Sequence, residues 1–270
     1  MESEPRRQLV ERFFSGTGTS YRLTATFGTL GFDLWWKHRI LSAVPPDAAR
    51  VVDQASGTGI LTFGLARRLP GSLVVGVELR REYAALAREE KRRRGISNVC
   101  FVQGRAEDVA VRPPVDCIAS SYLAKYADLE ALAANAAGML RPGGVILIHD
   151  FTYPASWVLA RLWEAYLRLL RAAWGRLYPE WRQALEGLPG LLRHTTWVAD
   201  AVGALGRHGF ERVRVRSLTW GAAALVTARR AGPGKAPGRG GSRRGSRCAT
   251  PSRSGPGHRA PPGRGGPGGA

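Results

Sequence analysis

Two carboxylates close two apolar runs in the first third of the chain: Asp53 follows Val51-Val52, and Glu78 follows Leu73-Val74-Val75-Gly76-Val77. Between them lies a small-residue turn, Ala55-Ser56-Gly57-Thr58-Gly59, which runs into the apolar start of a helix at Ile60-Leu61. Glycine has no Cβ and accepts positive φ, so Gly57 and Gly59 let a ligand approach the backbone. Glu78 comes 19 residues after Gly59, close to the spacing at which an acid reaches a ribose hydroxyl in doubly wound nucleotide folds. The pair predicts a nucleoside site. A dinucleotide turn would need a third glycine, and that position is Thr62. No Gly-Lys-Ser/Thr follows to grip a phosphate. Asp53 suits a cationic ligand, and S-adenosyl-L-methionine fits: it carries an ammonium, a sulfonium and a ribose, and no phosphate.

These residues need a scaffold that brings strand ends together. Val99-Cys100-Phe101-Val102-Gln103, Val115-Asp116-Cys117-Ile118-Ala119-Ser120-Ser121 and Val145-Ile146-Leu147-Ile148-His149-Asp150 read as further strands, the last led in by Arg141-Pro142-Gly143-Gly144. Helical patterns over residues 82–94 and 128–140 separate them, so strands and helices alternate as in a parallel α/β sheet. Ligands in such sheets bind beyond the carboxyl ends of the strands. Asp53, Glu78, Arg105, Ser121 and His149 all fall there.

With these motifs in place the chain resembles the class I S-adenosylmethionine-dependent methyltransferases, and among them the ubiquinone/menaquinone biosynthesis C-methyltransferases. Phe13-Phe14 through Tyr21, Thr29-Leu30-Gly31-Phe32-Asp33-Leu34-Trp35-Trp36-Lys37, the Ala55–Gly59 turn, the Arg-Pro-Gly-Gly lead-in and Leu218-Thr219-Trp220-Gly221-Ala222-Ala223-Ala224-Leu225 follow that family's pattern. The resemblance spans roughly residues 10–230. It implies a Rossmann-like, doubly wound, seven-stranded sheet, mostly parallel with an antiparallel last strand and helices on both faces. Residues 209–215 and 223–228 would supply the final strands. It also implies cofactor contacts from Thr58, Glu78, Arg105, Ala106 and Ser121, beside Asp53, Gly57 and Gly59 of the turn. Arg22, Arg105 and Tyr122-Leu123-Ala124-Lys125-Tyr126 depart from the family pattern, the last where the acceptor is bordered. Methyl transfer is therefore better supported than a quinol acceptor.

Acceptor choice is expected to rest on residues 151–200, which hold five of the eight tryptophans. On a helix from Ser156 to about Trp174, Leu159, Trp163, Tyr166, Leu170 and Trp174 share one face by spacings of three and four. A lid over an apolar acceptor is the leading reading; peripheral contact between this helix and an anionic membrane is the other. Methylation of a phenol or hydroquinone carbon calls for a base or an oxyanion stabiliser. His149 and Asp150 are the catalytic candidates, and Tyr21, Trp36, Tyr122, Lys125 and Tyr153 the acceptor-binding ones.

Composition divides the chain into a methyltransferase domain over 1–230, opening with a helical segment 1–49, and a tail over 231–270. The formal charge is +19, and eight cations without acids fall in the tail, leaving +11 for the rest. Of the 40 tail residues 13 are glycine and 7 proline, a composition that predicts disorder. It holds no aromatic residue to stack on bases, which disfavours a nucleic-acid partner; a methyltransferase acting on RNA or another nucleic acid, or a non-catalytic cofactor-binding protein, is the alternative reading. Neither a Pro-Pro-Tyr nor a Pro-Cys motif of nucleic-acid methyltransferases follows the fourth strand. No stretch approaches the roughly 18 apolar residues of a spanning helix, and a cytoplasmic protein is expected. Cys100, Cys117 and Cys248 show no metal or disulfide spacing and are expected to be buried thiols.

Overall fold

The computed structural model describes residues 3–112 and 114–232; the disorder expected of the tail concerns residues that, from 233 on, lie outside the described ones. Three helices open the chain, α1 (Ser3–Phe14), α2 (Tyr21–Phe27) and α3 (Phe32–Ala43). Strands and helices then alternate: β1 (Arg50–Gln54), α4 (Ile60–Arg68), β2 (Leu73–Glu78), α5 (Arg81–Arg93), β3 (Val99–Gln103), β4 (Val115–Ser121), α6 (Leu129–Met139) and β5 (Leu140–Phe151). Helices α7 (Trp157–Leu177), α8 (Arg182–Arg193) and α9 (Trp197–Arg207) precede β6 (Phe210–Leu218) and β7 (Ala223–Arg230).

The seven strands form one sheet in the order β3-β2-β1-β4-β5-β7-β6. Pairings from β3 through to β5 are parallel, and β7 runs antiparallel to both β5 and β6. Strand order reverses between β1 and β4, which places the ligand crevice of a doubly wound sheet between their carboxyl ends. The central strands are apolar almost throughout because helices cover both faces. On one face Leu132, Ala136, Trp197, Ala201 and Leu205 of α6 and α9 are buried; on the other, Trp36, Ile40, Leu61 and Leu65 of α3 and α4. A third, smaller cluster joins Phe13, Tyr126, Trp181, Ala184 and Leu185. It stands apart from the sheet and ties α1 to α8.

Local chemistry explains the boundaries. Asp128 starts α6 by accepting the backbone N–H groups of Glu130 and Ala131 at 3.1 Å, satisfying two donors that the first turn leaves free. Two expectations are corrected. Arg141–Gly144 does not precede the fifth strand but lies inside it, as an irregularity between the pairs Val115–Leu140 and Cys117–Val145. Cys100 is exposed whereas Cys117 is buried; β3 is an edge strand, and only alternate residues of it face the core.

Candidate functional site

The carboxyl ends of β1, β2 and β4 open into a cavity, the place where a doubly wound sheet binds its ligand. Ala55, Gly57, Glu78, Arg105, Ala106, Ser121 and Tyr122 line it from the sheet side, Phe14, Tyr21 and Tyr83 from the helices, and Tyr126 from the β4–α6 loop. The backbone on either side of the switch point is held in the left-handed region: Ala55 has φ 57° after β1, and Tyr122 has φ 67° after β4. Non-glycine residues in that region concentrate where the surrounding fold enforces a functional geometry.

Glu78 organises the floor. Its Oε2 accepts the Gly57 N–H and its Oε1 the Arg80 N–H, each at 2.8 Å. One carboxylate thus clamps the small-residue turn to the end of β2, and each oxygen retains a lone pair. Burial raises its pKa, and the two backbone N–H groups pull it back down. The wall at residues 104–109 is fixed from behind: Gln54 and Asn135 side-chain amides donate to the Ala106 carbonyl at 3.1 and 2.9 Å.

Other expected contacts lie elsewhere. Asp53 is buried beneath the turn rather than on the cavity wall, and its Oδ2 accepts the Thr62 hydroxyl at 2.6 Å. Burial pushes its carboxyl up to about 7, against the lowering effect of that hydrogen bond. Gly59, at φ 87°, opens α4, and a Cβ there would meet Phe63 at 2.7 Å. Its glycine is a packing requirement. Thr58 turns to the opposite side of the loop, into a cleft with Arg22, His38 and Arg67.

A second cavity adjoins the first and shares Phe14, Tyr21, Tyr122 and Tyr126 with it. Thr24, Ala25, Gly28 and Thr29 close it on the α2 side, Trp163, Leu167 and Leu170 on the α7 side, and Trp181, Ala184 and Leu185 from below. The indole N–H of Trp163 is buried there without a partner. Lys125 supplies the one cation on this wall. Its Nζ donates to Asp150 Oδ1 at 2.6 Å and to the Tyr122 carbonyl at 3.0 Å. Desolvation lowers the lysine pKa and the Asp150 carboxylate raises it again. Tyr122 is the hub between the two: its hydroxyl donates to Asp33 Oδ1 at 2.7 Å, and Asp33 is ion-paired with Lys37.

The catalytic candidates are not on either wall. His149 is fully buried, its Nδ1 3.1 Å from the Ser121 hydroxyl and its ring against Trp36 and Tyr122. Burial, then Lys37 and Lys125, hold its pKa well below the usual imidazole range, so it is neutral. Asp150 is enclosed by Lys125 and the backbone of Phe151. Trp36 is a core residue whose indole N–H donates to the Thr219 hydroxyl at 2.7 Å. Tyr153 donates to Glu164 at 2.6 Å, outside the second cavity. Sequence reasoning missed Phe14, Tyr83 and Tyr126. Their one signal is an aromatic residue on an otherwise polar helix or loop.

Comparison with known proteins agrees with this arrangement. A family described as "Methyltransferase domain" matches residues 51–144. The demethylmenaquinone methyltransferase of Mycobacterium marinum is 29% identical over 230 residues, 83% of this chain and 94% of that protein. The ubiquinone/menaquinone biosynthesis C-methyltransferase UbiE of a Marinomonas species is 28% identical over 80% of this chain and 88% of its own. Among solved structures, magnesium protoporphyrin IX methyltransferase from Synechocystis with bound S-adenosylhomocysteine superposes with a TM-score of 0.58 at 17% identity, covering 84% of this chain and all of that one.

Strand order, the clamped turn and the family match make this chain an S-adenosylmethionine-dependent methyltransferase. Within that class it resembles the quinone-biosynthesis C-methyltransferases. The donor set fits the cofactor: a carboxylate suits a ribose, tyrosine faces attract a cation, and the two lining arginines are engaged by neighbouring acids, Arg80 by Glu82 and Arg105 by Glu107 and Asp108. Among the described residues no group of His, Cys, Asp and Glu could hold a metal ion, and no helix is long and apolar enough to cross a membrane.

Proposed function

We propose that this is a cytoplasmic enzyme that methylates a ring carbon of a small, largely apolar aromatic acceptor, with a prenylated quinol as the leading candidate. The observation behind this reading is the pair of adjoining cavities, one bordered by the charged strand-end residues Glu78 and Arg105 and one beneath α2 and α7 whose one charged lining residue is Lys125, divided by a shared aromatic wall. Glu78 holds the ribose hydroxyls through its remaining lone pairs. Arg105 and Ala106 border the adenine, and Gly57 and Ser121 border the rest of the nucleoside. S-adenosylmethionine, when bound, supplies a methyl group already made electrophilic by its sulfonium.

What this chain's residues then do is position and polarise. The second cavity excludes water and fixes the acceptor ring against Tyr21 and Tyr122, a proximity effect worth several orders of magnitude. Lys125, held by Asp150, faces the acceptor as a cation and stabilises a phenolate oxygen, which makes the ring carbon nucleophilic. His149 acts indirectly, by orienting Ser121. Asp150 likewise acts through Lys125. Helices α7 and α8 form the lid, and their aromatic face is a wall of the acceptor site.

The test is transfer of labelled methyl from S-adenosylmethionine to a short-chain demethylmenaquinol, extracted and analysed by mass. Label on the ring carbon is expected. Robust cofactor binding with label appearing only on an oxygen, or on no quinol or phenol at all, would overturn the assignment.

A further inference from the structure

Leu30 and Trp220 are the feature of this fold that neither catalysis nor packing accounts for. Both adopt left-handed backbone angles, φ 53° and φ 52°, a conformation in which Cβ crowds the following carbonyl and which bulky residues rarely take. Both are nonetheless turned outward, Leu30 to 70% exposure and Trp220 to 75%. They are neighbours through Phe32, which opens α3 two residues after Leu30 and meets the Trp220 ring edge-on at 6.2 Å. A strained backbone that presents a large apolar side chain to water has its return outside the chain.

More exposed apolar residues continue this surface. Phe27 and Leu34 flank the α2–α3 turn. Leu162 and Leu169 project from α7 within one turn of Tyr166, whose hydroxyl donates to the Gly28 carbonyl at 2.8 Å and so seats α7 beside the turn. The rim is basic. Arg22 and His38 line the cleft beside Leu34, Arg39 lies over Trp35, and Arg161 and Arg168 immediately precede Leu162 and Leu169 on α7. Between Tyr21 and Ala43 the single acid is Asp33, which is buried and ion-paired. The single acid of α7, Glu164, is engaged by Tyr153 and Arg193.

We propose that the α2–α3 turn, together with Trp220 and the outer edge of α7, docks the protein on the surface of an anionic lipid bilayer. Apolar side chains ringed by cations match the acyl boundary beneath anionic headgroups. The contact centres on the turn, not on the α7 helix that the sequence pointed to. The proposal rests on the apolar-acceptor reading for its purpose. Thr24, Ala25, Gly28 and Thr29, the inward side of the same turn, roof the second cavity, so docking sets that roof against the phase in which a prenylated acceptor dissolves.

The experiment is flotation of the full chain with phosphatidylcholine vesicles, with and without phosphatidylglycerol, beside a Leu30→Gly/Trp220→Ser double variant. Glycine accepts the left-handed angle at position 30, so the fold is expected to survive; cofactor calorimetry on the variant verifies it. The wild type is expected to float with anionic vesicles, and the variant to partition about tenfold less. Brominated acyl chains are expected to quench wild-type tryptophan fluorescence more than that of the variant. Equal partitioning of the two proteins would overturn the proposal, since both keep every cation and the basic tail. So would a wild-type dimer that the variant converts to monomer, which would show a second copy covering the face. Labelled-methyl transfer to a water-soluble quinol without vesicles reports on the acceptor reading independently, so either can fail alone.

Discussion

The strand-end cavity and the helical cavity share four aromatic residues, yet they are built in opposite ways. The first is held by backbone: Glu78 gathers two N–H groups, Gln54 and Asn135 pin the Ala106 carbonyl, and the sheet register fixes the distance between β1 and β4. The second is held by side chains from α1, α2, α7 and α8, and its charge comes from Lys125, which Asp150 holds from behind the wall, beside the unpartnered indole of Trp163. Backbone scaffolding tolerates wide changes of sequence because every residue has an amide. A side-chain wall changes shape with each substitution. One chain thereby keeps a common cofactor and retains freedom over the acceptor.

The division predicts its largest effect for Glu78→Ala. It removes the proposed ribose acceptor and releases the Gly57 and Arg80 amides together. Cofactor affinity by calorimetry is expected to fall at least about 100-fold, as for truncating a buried hydrogen-bonded charge. A variant that binds within a few-fold of wild type would erase the distinction drawn above.

Asp150→Ala probes the seam between the two cavities. It leaves the Lys125 ammonium buried and unpaired, which destabilises by about 3–5 kcal/mol, read as a lower denaturant midpoint. Lys125→Met/Asp150→Leu, which removes both charges, is expected to regain most of that stability. The double variant should bind cofactor normally and still lose acceptor turnover by at least about tenfold, the order expected of one lost electrostatic stabiliser. Full turnover in the stable double variant would take the oxyanion role from Lys125.

How far these regions were legible in the sequence follows from the same division. Glu78 and the Gly57 turn announce themselves because a strand, a turn and a helix are consecutive, and their spacing translates directly into distance. His149 was legible as a strand-end residue but not as a buried one. Successive residues of β5 point to opposite faces, so His149 goes toward Trp36 and Asp150 toward Lys125. Which face holds the cavity depends on helices far along the chain. Phe14, Tyr83 and Tyr126 come from three distant segments that meet only when the cap folds, and no local spacing encodes that meeting. Thr58 points the other way because the left-handed angles at Ala55, Gly57 and Gly59 rotate the turn, a twist that a string of small residues allows without specifying.

The Asp53 carboxyl gives a pH test of the cofactor side. Its folded pKa of about 7 stands above the unfolded value of 3.8, so the folded state binds more protons between those values. Stability contributed by this group is therefore complete below about pH 4 and is lost as pH rises through 7. Asp53→Asn keeps an acceptor for the Thr62 hydroxyl and removes the titration. Its stability is expected to exceed that of wild type by roughly 2–4 kcal/mol at pH 8, with the gap closing toward pH 4. Parallel pH profiles from urea melts would show that Asp53 is not desolvated as described.

The smallest expected effect distinguishes an acceptor contact from a packing role. Trp163 stacks obliquely on Tyr166 and Phe151, and its indole N–H has no partner. An orphaned buried donor costs the apo protein about 1–3 kcal/mol, and an acceptor oxygen arriving in the second cavity would relieve that cost. Trp163→Phe removes the donor and keeps an aromatic ring. If the acceptor oxygen takes that N–H, KM for the acceptor should rise about fivefold, the worth of one neutral hydrogen bond, with kcat and cofactor affinity unchanged and thermal stability equal or higher. Unchanged KM alongside lower stability would mean that the indole only fills the wall. In that event acceptor orientation rests on Lys125 and the tyrosines alone, and the helical cavity selects by shape rather than by hydrogen bonding.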